Sequence, residues 1–377
     1  MDHDPDLRAS LERLVRLGRT PDVDIRPVLL RVLVDMFVRR PRHAPADLLQ
    51  FEDMIGRLLD DSDAEVRRSV AETLAGHPAT PGSLVARFLA EGGDVAVPVL
   101  ARAEVPPESL AEAADWGTTA MAVAVAGRPD LTHETVASLA ARPEPEVLRA
   151  LAANAAAPLV PDTARYLVRR ARDDEALGRA LLDRDGLPPG IQAPLFLLAD
   201  SARRAEILLA ARREDLSPDE RRTRPTPDET AALERVERAV MAPERDGFDA
   251  ALAQALGVRR EDSRRLIDDP RGEPLAVALA AVGASPELAA RVFILSGPAI
   301  GHSVMAVRSL TALVESLPRR TALRLVAAMT HAGARTVRRA APEGDPRQRA
   351  EDGRSVQRLR ERAEDIVAEA QRRMRGL

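Results

Sequence analysis

Cysteine is absent from the chain, and so is lysine, so that all 55 basic residues are arginine. The first absence excludes disulfides, thiolate metal sites and cysteine nucleophiles. The second excludes a phosphate-loop lysine, Schiff-base chemistry and a Ser-Lys pair. Aromatic residues are scarce, with six Phe, one Trp and one Tyr in 377 residues. A core without large rings must close through short helices meeting at Ala, Leu and Val, and few sheets are built that way. Long apolar runs are missing too. Stretches such as TTAMAVAVAG at 118–127 fall short of the roughly 18 to 20 residues that a membrane helix needs. The opening MDHDPDLRAS is acidic and broken by proline, without the basic and apolar regions of an export signal. A cytoplasmic protein that does not engage membranes is expected.

What is present is a charged, alanine-rich chain with 45% hydrophobic residues and a net charge of −4, long enough for two or three domains and a sizeable core. Its apolar spacing is helical. Ile25, Val28, Leu29, Val32, Leu33, Met36 and Phe37 follow one helix face until Pro41 stops the run. No sustained period-2 pattern occurs, and most of the Pro and Gly fall between helical segments. The expected fold class is all-α.

Self-comparison reveals a repeat. The ridges Val66/Val70/Ala71, Val95/Val99/Leu100, Met121/Val125/Ala126, Val147/Leu151/Ala152 and Leu177/Leu181/Leu182 share one spacing, and their starts lie 29, 26, 26 and 30 residues apart. After each comes a break and a second short helix, opening near Pro81, Pro107, Thr132, Pro161 and Pro189, where Pro or a capping side chain suits a first turn. A hairpin of this size cannot bury its apolar face alone. Successive pairs are therefore expected to stack into an α-solenoid with one continuous core and atypical ends.

The stretch from Leu58 and Leu59 through Asp60, Asp61, Asp63, Glu65, Val66, Arg67 and Val70 to Leu74 resembles the start of a HEAT repeat. The later repeats keep the apolar ridge without the Asp and Arg, and their spacing is shorter than the roughly 40 residues of ordinary HEAT repeats. With Asn154 closing a repeat and a Gly272-Glu-Pro-Leu-Ala-Val-Ala-Leu segment before Gly283, the order of features is similar to a bacterial family of HEAT-like helical proteins classed as a domain of unknown function. The resemblance covers residues 27–331. It implies a fold and carries no activity.

Composition divides the chain further. Residues 212–228 (RREDLSPDERRTRPTPD) are charged and Pro-rich, as a solvated linker is. The expected organisation is a HEAT-like domain over 1–211, that linker, a second helical block over 229–331, a polar linker over 332–353 and a C-terminal helix over 354–377. In that last helix Val356, Leu359, Ala363, Ile366 and Ala370 make about two heptads, fewer than a coiled coil requires. It reads as a cap, with self-association as the alternative.

Candidate chemistry is thin. Asp61, Asp63, Glu65 and Glu72 fit positions 1, 3, 5 and 12 of a calcium loop, but position 6 is Val66 where glycine is needed, so the cluster reads as a helix N-terminus. The six His are scattered, and His133-Glu134 is an isolated pair that leaves most of a metal's coordination sphere empty. No metal and no cofactor are expected. The Gly297–Gly301–Ser303 segment lacks a phosphate loop's lysine and reads as an interhelical turn with Ser303 as a cap.

Residues 248–269 have helix-turn-helix spacing: Ala253 lies four before Gly257 and Leu266 nine after it. Arg259, Arg260, Arg264 and Arg265 would then face nucleic acid. Against this, residues 261–269 carry a net −2, the wrong sign for phosphate contact. The runs at Arg169, Arg170, Arg172 and at Arg203, Arg204, Arg212, Arg213 are interleaved with acids and read as solvated faces. Single-strand binding would need stacking aromatics, and Trp116 and Tyr166 are both expected in the core.

The sequence therefore favours a non-enzymatic helical-repeat scaffold that binds a protein partner on a concave surface lined by the second helices. Helical phase selects Arg87, Glu108, Glu112, Glu134, Arg142, Arg165 and Arg169 as its exposed candidates. Their mixed charge suits an electrostatically selected partner. The alternative is a DNA-binding regulator using 248–269, and a helical-repeat enzyme is disfavoured.

Overall fold

A computed structural model describes residues 26–214, 227–242 and 247–330. Residues 332–353 and the C-terminal helix at 354–377 lie outside the described residues. Among those described, every regular element is helical and no strand is present. The chain falls into two compact units that divide after Glu214.

In the first unit α1 (Arg26–Val38) and α2 (Pro45–Asp60) lead into hairpins built from α3 (Ala64–Leu74) and α4 (Gly82–Glu91), α5 (Gly93–Arg102) and α6 (Pro107–Trp116), α7 (Thr119–Ala126) and α8 (His133–Ala141), α9 (Pro145–Ala153) and α10 (Pro161–Arg170). Then follow α11 (Glu175–Leu182), α12 (Pro189–Gln192) and α13 (Ser201–Glu214). Helices α1, α3, α5, α7, α9 and α11 pack each on the next, forming one layer. The second helices form the other. The ridges that reveal the repeat are the floor between them: Val70, Ala71, Val99, Leu100, Val125, Ala126, Leu151, Ala152, Leu181 and Leu182 are all buried. Each buried Leu or Val contributes about 1.5 to 3 kcal/mol.

The starts are capped as the side chains allow. The Val66 amide donates to Asp63 Oδ1 at 2.8 Å, the Thr135 amide to Thr132 Oγ1 at 3.2 Å and the Leu177 amide to Asp174 Oδ1 at 3.0 Å, while Pro107, Pro145 and Pro161 stand in first turns where their missing N–H costs nothing. The acidic run at 60–65 is thus a helix start. The fifth second helix departs from expectation: α12 stops at Gln192, and Ala193–Leu195 continues as a tighter 3₁₀ turn. Pro194 has no amide to carry the α-helical bond onward.

Helix ends are tied across repeats. Arg128, Asn154 and Arg184 each lie just past a first-layer helix and reach back to the carbonyls that end the preceding one. Arg128 Nη1 donates to the carbonyls of Leu100 at 2.8 Å and Ala103 at 2.9 Å. Asn154 Nδ2 donates to those of Ala126 at 2.8 Å and Arg128 at 2.6 Å. Arg184 donates to Ala152, Asn154, Ala155 and Ala157. Carbonyls at a helix end have no partner of their own, and a cation placed there also meets the negative end of the dipole. Each interface therefore carries a polar rung as well as apolar area.

The second unit comprises α14 (Pro227–Val240), α15 (Phe248–Leu256), α16 (Arg260–Ile267), α17 (Glu273–Val282), α18 (Pro286–Ile294), α19 (Pro298–Gly301), α20 (Val304–Ser316) and α21 (Arg319–Met329). Helix α17 is its axis. Residues Pro274 to Val282 are all buried, as befits a helix that is apolar on every side, and α15, α16, α20 and α21 pack around it. Gly272 starts it at φ +80°, with Ile300 Cδ1 and Leu310 Cδ1 each 2.8 Å from where a Cβ would stand. The Gly297–Ser303 segment, expected to be a turn, links α18 to α20 through the single helical turn of α19, and Ser303 Oγ accepts from the Ala306 amide at 3.2 Å.

Candidate functional site

The sequence-selected residues fall into two groups once their neighbours are seen. Glu108, Glu112 and Glu134 are exposed on α6 and α8, and none of them makes an ion pair among the described residues. Arg165 is exposed on α10, held among the described residues only by Asp162 one turn earlier at 2.7 Å. Arg169, also exposed, leans over the ring of Tyr166 at 5.9 Å. A lone exposed pair of this kind contributes well under 1 kcal/mol, so these side chains are available to a partner.

Arg87 and Arg142 have structural partners instead. Arg87 donates to the Gly56 carbonyl at 3.1 Å and pairs with Asp60 at 2.7 Å, tying α4 to α2. The expectation that Arg142 is exposed is corrected: only 12% of its side chain is. It donates to the carbonyl of Ala114 at 3.1 Å and pairs with Glu144 at 2.7 Å, so it closes the end of α6 as Arg128 closes α5. The Glu144 carboxyl is held below its ordinary range by the hydrogen bond from Arg142. Helical phase places a side chain on a face but does not reveal a carbonyl waiting one repeat away.

Trp116 is the second correction. Expected in the core, it is 86% exposed. The inward face of α6 is taken by Leu110, Ala113 and Ala114, and Trp116 at the last position falls outside it. Gly117 follows because a Cβ there would collide with the Ala113 carbonyl oxygen and approach Met121 Cβ to 3.1 Å. Tyr166 is half-buried on α10.

In the second unit α15 and α16 form the expected hairpin, with Gly257 between them at φ +66°. Its arginines are nonetheless committed. Arg260 pairs with Asp249 at 2.7 Å and Arg264 with the same carboxylate at 2.6 Å. Arg259 pairs with the buried Asp262 at 2.9 Å. The hydrogen bond from Arg260, joined by that from Arg264, depresses the Asp249 carboxyl far below its usual range despite burial. Arg265 alone of the four makes no ion pair among the described residues. Within those residues no group of three or more His, Asp or Glu is placed to hold a metal, and His133 and Glu134 simply open α8. No helix there is long and apolar enough to cross a membrane.

The rungs Arg128 and Arg184 were not singled out from sequence, although a signal was present. Arg128, Asn154 and Arg184 each stand seven residues after a ridge start.

A family model described as an uncharacterised protein conserved in bacteria, DUF2336, matches residues 95–327. No curated protein and no solved structure matches the chain.

Proposed function

We propose that this chain, which belongs to the bacterial DUF2336 family, is a cytoplasmic, non-enzymatic scaffold whose second-layer helices form a concave surface that binds a protein partner. The observation that carries this is a division of labour among polar and charged side chains. Arg128, Asn154, Arg184 and Arg142 are spent on the stack itself, whereas Glu108, Glu112, Glu134, Arg165 and Arg169 stand exposed along three successive second helices with no comparable duty. A stack buries the faces it needs and leaves the outer helix faces for recognition. Charges of both signs select a partner by complementarity and steer its approach.

A tagged pull-down from native lysate, with and without nuclease, tests this beside an Arg165→Glu/Arg169→Glu variant. The reading expects a protein retained after nuclease and lost in the variant. Recovery that vanishes with nuclease contradicts it and shifts the role to DNA binding by the α15–α16 hairpin, where Arg259, Arg260, Arg264 and Arg265 would have to exchange carboxylates for phosphates.

A further inference from the structure

Between α4 and α6 the second layer opens into a groove of about 640 Å³. Leu89, Leu100, Ala113 and Met121 give it an apolar floor and walls, Trp116 stands at one edge, and Glu104 and Glu112 are on the rim. In a chain with 55 arginines, no basic residue is among the described residues that line it. Neither rim glutamate makes an ion pair among the described residues. Glu112 and Trp116 are one helical turn apart on α6, which places a carboxylate and an indole face side by side.

We propose that this groove binds an arginine- or lysine-bearing apolar segment of another protein, with a cationic side chain lying over Trp116 against Glu112 and a neighbouring aliphatic side chain in the floor. The inference rests on the partner-binding reading of the second layer and names the chemistry of what docks there. Charge complementarity decides the occupant. An unpaired acidic rim repels phosphate-bearing ligands, while the face of a tryptophan attracts a cation more strongly than any other ring. Tryptophan is also the side chain most enriched at the energetic centre of interfaces. Its exposure here, at the end of a helix whose inward face is already full, leaves the ring open to that use.

Trp116 is the only tryptophan, so its emission reports on the groove alone. The probes are a short labelled peptide with Leu and Arg at helical spacing and its counterpart with each Arg replaced by Glu, titrated against the full chain. The Arg peptide is expected to saturate and shift Trp116 emission to the blue, and the Glu peptide to do neither. By anisotropy of the label, Trp116→Ala weakens binding about tenfold, and Glu104→Gln/Glu112→Gln weakens it several-fold and flattens its salt dependence. Arg179→Ala, at an exposed pair on the first-layer helix α11, leaves it unchanged. Equal binding of the Glu peptide, no saturable response, or an emission change that follows protein concentration without peptide, as a second copy in the groove would give, overturns the proposal. A pulled-down partner insensitive to Trp116→Ala but lost with Arg165→Glu/Arg169→Glu overturns the groove and leaves the wider surface standing.

Discussion

Replacing Arg128 by Ala removes a rung between two repeats and leaves their apolar faces untouched. The side chain is only 6% exposed and pairs with Asp130 at 2.6 Å, while Nη1 bridges the carbonyls of Leu100 and Ala103. Truncation strands two buried acceptors, each costing about 1 to 3 kcal/mol when left without a partner. Water entering the vacated space offsets part of this, so a net loss of about 3 kcal/mol is expected. For a unit of this size each kcal/mol lowers the melting temperature by about 2 to 4 °C, giving a fall of about 6 to 12 °C. Thermal unfolding followed by circular dichroism measures it, with Arg165→Ala as the exposed control expected to shift by less than about 2 °C. Arg128→Lys should recover less than half, because an ammonium cannot bridge two carbonyls and a carboxylate in a fixed fork. Hydrogen exchange should rise first in α5 and α7, since a stack transmits stability mainly to its neighbours. A melting shift no larger than that of Arg165→Ala would refute the idea that these rungs hold the repeats together.

Two further outcomes concern the second unit. The depressed Asp249 carboxyl adds stability that is fully present above its unfolded value near pH 4 and lost as pH falls through the lower folded value. Asp249→Asn should therefore destabilise at pH 7 by about 1 to 2 kcal/mol and flatten the acid limb of a urea-denaturation pH profile; an unchanged limb would disprove the assignment. Gly272→Ala forces φ +80° on a residue with a Cβ and drives that Cβ into Ile300 and Leu310, so a loss of about 2 to 4 kcal/mol is expected in urea denaturation. A neutral result would mean that the start of α17 can shift without cost.

Much of the fold was legible because the repeat is carried by apolar ridges, and burial enforces those ridges directly. Val70, Val99, Val125, Leu151 and Leu181 recur at the same position of the ridge because each must face the same continuous core. The truncated α12 was less legible, since Pro189 suits a helix start and only Pro194, inside the run, stops it. The surface was legible in part. Helical phase placed Glu108, Glu112, Glu134, Arg165 and Arg169 outward, but it could not separate them from Arg142, whose partner is a backbone carbonyl 28 residues earlier. Residue type pointed Trp116 inward, because large rings are usually needed in cores, although its place one turn after the outward Glu112 puts it on the exposed face. Here alanine-rich helices approach closely enough that Leu110, Ala113 and Ala114 fill the inward face of α6, and the ring is left outside. The α15–α16 hairpin shows the converse limit. Its backbone follows the spacing of a DNA-binding motif, while the ion pairs that occupy its arginines depend on Asp262, three residues after Arg259, and on Asp249, which lies too far along the chain from Arg260 and Arg264 for helical spacing to pair them.

The most direct test of the central claim is amide hydrogen exchange on the full chain with and without the partner recovered by pull-down. The account predicts new protection on α4, α6, α8 and α10, with little change in α15 and α16. Protection confined to residues 248–269, or appearing only when DNA is added, would contradict it.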